Sequence, residues 1–366
     1  MKVVKVRSPF IIEVNETGQI GSKIELSIWN GSAYPTSGTG FYSLSKSIPS
    51  TTQISTSYNV SNYVKEFIDN IKPTKIVSYA SEDSNEWIKF QVKRYKLVGT
   101  TYTLLDTIEY VGVNGFTTYT QGVNAIIDSY TTGFLSNKLI SKNIIKSSST
   151  SKNYVNWIGE MASGYRLDLI YVKLDNSYSV TQSITGLSGI YNFKIPLTKY
   201  PTDTKFILGN RLDVNLYNAS SVQIASDSFY TYINEEYKYT PVECTFINRY
   251  GGWEVLTFFK QQTNSIAVKG TDYKLMPSAI NYNTSKGQVK TFNINGTQTI
   301  KLNTGFVDQN YSELITDLLL SETVLLDEKS VTVKTQGSDL KTSLKDRLIN
   351  YEMEFEYAYN LINDVV

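Results

Sequence analysis

At 366 residues with 35 Lys+Arg against 34 Asp+Glu, the chain is too long for one ordinary core and close to neutral. It contains no histidine and one cysteine, Cys244, which removes the commonest general base, His-dependent triads, zinc clusters and any intrachain disulfide. A near-neutral balance also disfavours a general nucleic-acid binder, which needs a basic excess. The 28 tyrosines, with abundant Thr, Ser, Asn and Ile, favour strands and polar turns. Tyrosine also serves interfaces well, having an apolar ring and a polar tip.

The N-terminal run MKVVKVRSPFIIEV is interrupted by Lys5, Arg7 and Glu13, so no secretory signal is expected, and no run reaches the length of a membrane span. Phe10–Trp29 reads as a hairpin, with FIIEV and KIELSIW around ETGQIGS; Ile24, Leu26 and Ile28 alternate with Lys23, Glu25 and Ser27. A loop rich in Gly, Ser, Thr and Pro follows at Gly31–Gly40, then a strand at Phe41–Ser45. Val60, Val64, Phe67, Ile68 and Ile71 recur at helical spacing, and Pro73 limits that helix. Strands are expected at Lys75–Tyr79, Trp87–Leu97 and Tyr102–Val113, the last two joined at Gly99–Thr100. Asn114–Asn124 reads as a loop with packed aromatic anchors. The polar stretch Ser141–Asn153 is where the first domain boundary falls.

Asn153–Ala162 fits either period and is read as a strand, paired in a hairpin with Tyr165–Leu174. Ser179–Thr185, Ile190–Pro196, Arg211–Asn218 and Val222–Ile233 complete a second sandwich.

The last third is built on CTFINRYGGWEVLTFFK, residues Cys244–Lys260, where two apolar runs flank Asn248–Gly252 in a hairpin pattern. Asn295–Gly296 reads as a second hairpin turn, between Val289–Ile294 and Thr297–Leu302. Asn310 and Glu313 form a capping-box pattern ahead of Tyr311, Leu314, Ile315, Leu318 and Leu319 on one helical face. Strands follow at Val324–Leu326 and Val331–Lys334. In Leu348–Tyr359, Tyr351, Met353, Phe355, Tyr357 and Tyr359 alternate with Glu352, Glu354, Glu356 and Ala358, the pattern of a half-buried strand.

The expected fold is mainly β, with two or three sandwich-like domains and a few short helices. The domains are residues 1–147, with one short helix; 148–240, a second sandwich; and 241–366, a β-rich module with a helix near 310–321. Cys244, Phe246, Trp253, Phe258, Tyr351 and Phe355 are the expected structural anchors. Glu352, Glu354 and Glu356 form the densest acidic face, read as a solvated strand face or the lining of a channel. No phosphate-cradling loop or EF-hand-type loop is present, so no cofactor or metal is expected.

The blocks FINRYGGWEVLTFF, LNTGFVDQNYSELITDLLLSETVLL, VTVKT and DRLINYEMEFEYAYN, with VSNYVKEFI and NGFTTYTQGVN earlier, resemble virion proteins of tailed phages of Bacteroidetes-type hosts, the crAss-like phages being the nearest group. The resemblance implies a non-enzymatic ring subunit of the neck or tail around the DNA channel, assembled in the host cytoplasm. Its implied partners are further copies of itself, about 12 in a closed ring, and other neck or tail proteins such as the portal. Neither specific nucleic-acid recognition nor a membrane anchor is implied. Two readings compete with it. One is a receptor- or carbohydrate-binding tail module with Trp29, Trp87, Trp157 and Trp253 along a sugar groove. The other is a glycan hydrolase with two carboxylates facing each other at about 5–10 Å.

Overall fold

The computed structural model describes residues 2–30, 33–49, 54–70, 80–82, 86–124, 126, 132–134, 142–145, 154–186, 188–199, 203–234, 238–275, 283–337 and 349–363. The fold is mainly β. The chain folds into two compact units, Met1–Glu235 with Phe246–Val255, and Glu236–Thr245 with Leu256–Val366.

The first unit begins with β1 (Val3–Lys5), β2 (Ile11–Asn15), β3 (Gly21–Trp29), β4 (Phe41–Ser47), β5 (Ser55–Asn59) and the helix α1 (Ser61–Lys65). It continues with β6 (Ala80–Glu82), β7 (Trp87–Val98), β8 (Thr101–Val113), β9 (Thr132–Phe134) and β10 (Lys142–Ile145). Then come β11 (Tyr154–Met161), β12 (Arg166–Lys173), β13 (Ser179–Ile184), β14 (Gly189–Pro196), β15 (Gly209–Tyr217) and β16 (Gln223–Asn234).

A five-stranded sheet of order β1-β8-β7-β3-β4 carries Ile24, Leu26, Ile28, Phe90 and Val92 into a core shared with Ile12 and Val14 of β2 and Tyr58 of β5. The segment Phe10–Trp29 is therefore not a hairpin. β2 pairs with β5 in its own two-stranded sheet, while β3 pairs with β4 and β7. Both runs are apolar on one side, and those sides meet across the core. The intervening turn is held by Gln19, whose Nε2 donates to the Val14 and Ile54 carbonyls at 2.9 and 2.6 Å. Phe10, Phe90 and Tyr110 meet at 5.1–6.1 Å between ring centroids. Val60, Val64 and Ile68 bury the helical face, but the helix itself is only five residues long. Gly99, at φ +60°, turns β7 into β8.

The second sandwich sets the sheet β10-β16-β15-β12-β13 against β6-β14-β11-β9. Its core joins Val155, Trp157, Phe193 and Ile195 of one sheet to Leu167, Leu169, Leu212, Val214, Leu216 and Phe229 of the other. Tyr154–Met161 is a strand, but β11 and β12 do not pair with each other: β11 bonds β14 and β9, and β12 bonds β13 and β15. Again two consecutive strands lie in opposite layers. Three of the strands, β6, β9 and β10, come from the chain before residue 148. Within Ser141–Asn153, Lys142–Ile145 runs parallel to Thr231–Asn234; the other residues of that stretch, and all of Lys75–Tyr79, lie outside the described residues. In the loop 114–124, Phe116 is half-buried under the Arg7 guanidinium at 5.0 Å, whereas Tyr119 is fully exposed and anchors nothing.

The remaining strands are β17 (Val242–Ile247), β18 (Trp253–Phe258), β19 (Thr263–Lys274) and β20 (Val289–Asn303). After the helix α2 (Tyr311–Leu319) come β21 (Val324–Leu326), β22 (Lys329–Val333) and β23 (Glu352–Tyr357). They form one sheet of order β18-β17-β21-β22-β23-β20-β19. The base of the β17–β18 hairpin belongs to the second unit, and residues 246–255 belong to the first. In the second unit, Tyr311, Leu314, Ile315 and Leu318 of α2 are buried, as are Leu302, Leu326, Met353 and Phe355 of the sheet. Asn310 holds the N-cap position of α2 without a side-chain capping bond; the first turn is closed by backbone bonds to Asp308, Gln309 and Asn310 carbonyls.

Candidate functional site

The residues expected to anchor the last third are placed in packed interiors. Cys244, Phe246 and Phe355 are completely buried, and Trp253, Phe258 and Tyr351 nearly so. Asn248 organises the hairpin turn. Its Oδ1 accepts from the Tyr250 and Gly252 backbone N–H groups at 2.9 and 3.1 Å, and its Nδ2 donates to Glu254 Oε2 at 2.9 Å. Gly251 sits at φ +88°, and a Cβ there would lie 2.8 Å from the Gly115 nitrogen, so both conformation and space demand glycine. Phe116 donates its N–H to the Arg249 carbonyl at 2.9 Å, and Lys5 stands 4.9 Å over the Tyr250 ring. This stretch is architecture.

Burial, followed by the charge of Asp327, pushes the Cys244 thiol well above its ordinary pKa. A thiolate is the reactive form, so a group both inaccessible and protonated is inert. Native protein is expected to leave Cys244 unlabelled by an aromatic disulfide reagent at pH 8, with stoichiometric reaction once urea unfolds the second unit. Rapid labelling in native buffer would contradict this placement.

The acidic face of β23 carries its own counter-ions. Lys301 forms an ion pair with Glu352, and Lys334 pairs with Glu356 at 3.0 Å. Glu352 and Glu354 are exposed and Glu356 is half-buried. With two of three carboxylates matched by lysines, this face is too nearly neutral to repel phosphate strongly at physiological salt.

Trp87, Trp157 and Trp253 are buried, and Trp29 is half-buried beside Tyr34, with 5.7 Å between ring centroids. Among the described residues no group of three or more Cys, Asp or Glu could hold a metal ion. Nor does any helix there reach the length and apolarity needed to cross a membrane.

The feature with functional potential is one the sequence pattern hid. β19 and β20 form a two-stranded ribbon in which every residue of β19 is exposed. On its inner side β20 pairs with β23 only over Thr299–Asn303, so residues 289–298 have β19 as their sole strand neighbour among the described residues. Asn295–Gly296 makes no hairpin turn; it lies inside this single 15-residue strand. The reason is visible in its partners. Asn295 Nδ2 donates to the Ile362 carbonyl, and Oδ1 accepts from the Ile362 N–H, both at 3.0 Å; Leu361 N–H donates to the Gly296 carbonyl at 2.8 Å. The pair docks the segment after β23 instead of reversing the chain. Next to it Asn293 takes φ +50° and the register shifts between Lys269 and Thr271, a bulge that adds twist.

Ile266, Val268, Val289, Phe292 and Ile294 are between 43% and 65% exposed along this ribbon. Tyr273 packs edge-on against Phe292, with 5.6 Å between ring centroids. Val289, Phe292 and Ile294 stand between polar neighbours, and Ile266 and Val268 flank the small Ala267, so in sequence they read as half-buried strand positions. Only the topology reveals that no described layer covers them. Residues 263–303 also carry five lysines against Asp272 alone, whereas the rest of the chain holds 30 basic and 33 acidic residues.

No protein-family model matches the chain, and no curated protein matches it by sequence.

Proposed function

We propose that the protein is a non-enzymatic structural subunit that assembles with copies of itself through the β19–β20 ribbon, and that the assembly is a ring in the neck or tail of a tailed-phage virion. The exposed apolar ribbon carries the assembly half of this reading. A two-stranded hairpin is marginal in water, and a long exposed edge with apolar side chains invites a further strand or a groove. Charge complementarity favours a second copy as the occupant: residues 263–303, the ribbon with the connection between its strands, are net positive by four, and the remainder of the chain is net negative by three. A ribbon that meets a different surface of the next copy makes a heterologous contact, the kind that closes rings. The virion assignment rests on the resemblance of the C-terminal blocks to crAss-like phage proteins.

The test is sedimentation velocity on the full chain and on the triple variant Ile266→Ser, Val268→Ser, Phe292→Ser. Ile266 and Val268 are already mostly in water and Phe292 rests on the exposed Tyr273 ring, so these side chains contribute little to the native fold and the melting temperature is expected to stay within about 2 °C. The wild type is expected to sediment as a large closed species and the variant as a monomer. Identical oligomers from both proteins would remove the ribbon from the interface, and a shift to DNA binding without self-association would replace the partner.

A further inference from the structure

The outer face of the second sandwich carries a shallow, open cleft of about 260 Å³ along β15 and β16, within the first unit. Alternation along β15 sends Leu212, Val214 and Leu216 into the core and Arg211, Asp213 and Asn215 outward. Directly across, β16 presents Tyr230 opposite Arg211, Ser228 opposite Asp213, and Ser226 opposite Asn215. The six side chains form a grid on two strands whose other face is core.

The grid is prearranged. Arg211 Nε donates to both Asp213 oxygens at 2.9 and 3.0 Å, and Ser228 Oγ donates to Asp213 Oδ1 at 2.6 Å. Ser226 Oγ donates to Asn215 Oδ1 at 2.7 Å. Each bond fixes a rotamer before any ligand arrives, so the entropy of ordering those side chains is not charged to binding. Arg211 Nη1 also donates to Asn176 Oδ1 at 3.3 Å; the Asn215 NH2 and the guanidinium N–H groups beyond those bonds can donate, while the serine oxygens and Asp213 Oδ2 can accept. Tyr230, 42% exposed, supplies a ring face at one end of the cleft.

We infer that this face binds a neutral oligosaccharide, with one sugar ring seated in the cleft. Sugar hydroxyls donate and accept at once, and a surface that alternates fixed donors with fixed acceptors is their complement. The axial C–H groups of a pyranose are apolar and stack on a tyrosine ring. Charge excludes the alternatives: Arg211 and Asp213 cancel, so nothing favours an anion such as phosphate or a sulfated glycan. The inference stands on the second sandwich alone and is independent of ring assembly.

The experiment is calorimetric titration of the full chain with maltotetraose, cellotetraose, mannotetraose, chitotetraose and, as the anionic counterpart, a heparin tetrasaccharide. At least one neutral probe is expected to bind with a Kd of about 0.1–1 mM. Hydrogen exchange should then slow in β15 and β16 and not in the β19–β20 ribbon. Tyr230→Ala and Asn215→Ala should each weaken binding about tenfold with an unchanged thermal transition, because both groups lie on the solvent face. Absence of binding by every neutral probe at about 10 mM would overturn the inference. So would affinity indifferent to both substitutions, or binding by the heparin fragment alone.

Discussion

Ending the chain after Asn350 is expected to abolish the cooperative folding of the second unit. The deletion removes β23, which lies between β22 and β20 rather than at an edge. It pairs Val331–Val333 with Phe355–Tyr357 on one side and Thr299–Asn303 with Glu352–Glu356 on the other. Tyr351, Met353 and Phe355 are each at most 2% exposed, and Phe355 meets Phe258 edge-on with 5.9 Å between centroids. Burial of such side chains is worth about 1.5–3 kcal/mol each, so three of them approach the whole net stability of a domain, about 5–15 kcal/mol. Two new strand edges are opened in addition. The readout is Cys244: in the truncated protein it should react with a thiol reagent at once in native buffer. Continued protection would show that the rest of the sheet holds together without β23.

A comparably large loss is expected from Lys194→Met in the first unit. Lys194 lies on β14 and Glu86 just before β7; they pair at 2.8 Å with only 2% and 3% of their side chains exposed. Removing the lysine leaves a carboxylate buried without its counter-charge, at a cost of about 3–5 kcal/mol. That cost exceeds what the pair itself contributes, because desolvation consumes most of the Coulomb attraction. The double variant Glu86→Leu, Lys194→Met should therefore recover most of the loss. Urea unfolding followed by tryptophan fluorescence checks both. A single variant within about 1 kcal/mol of wild type would mean that the carboxylate finds water or another donor once the lysine is gone.

Period, more than partner, was legible in the chain. The strict alternation of Tyr351, Met353 and Phe355 with glutamates marks β23, and the helical face of Tyr311, Leu314, Ile315 and Leu318 marks α2. Apolar runs around Asn248–Gly252 mark the β17–β18 hairpin, because there the turn chemistry is local. The pairings of β2 with β5 and of β11 with β14 were not legible. An apolar face states that a strand has a core side, but it does not say which layer of a sandwich the strand joins. The same gap hid both proposed surfaces. Ile266 and Val268 alternate like any half-buried strand, and their exposure follows from β20 outrunning β23. The polar grid of Arg211, Asp213, Asn215, Ser226 and Ser228 is assembled from two strands in register, a relation that no single run of residues displays.

Negative-stain electron microscopy of the purified full chain tests self-assembly into a closed ring most directly. Top views should show annuli of uniform diameter around an open centre, and the Ile266→Ser, Val268→Ser, Phe292→Ser variant should show dispersed single subunits. Fields of single subunits from the wild type, at concentrations where sedimentation detects no larger species, would contradict the account.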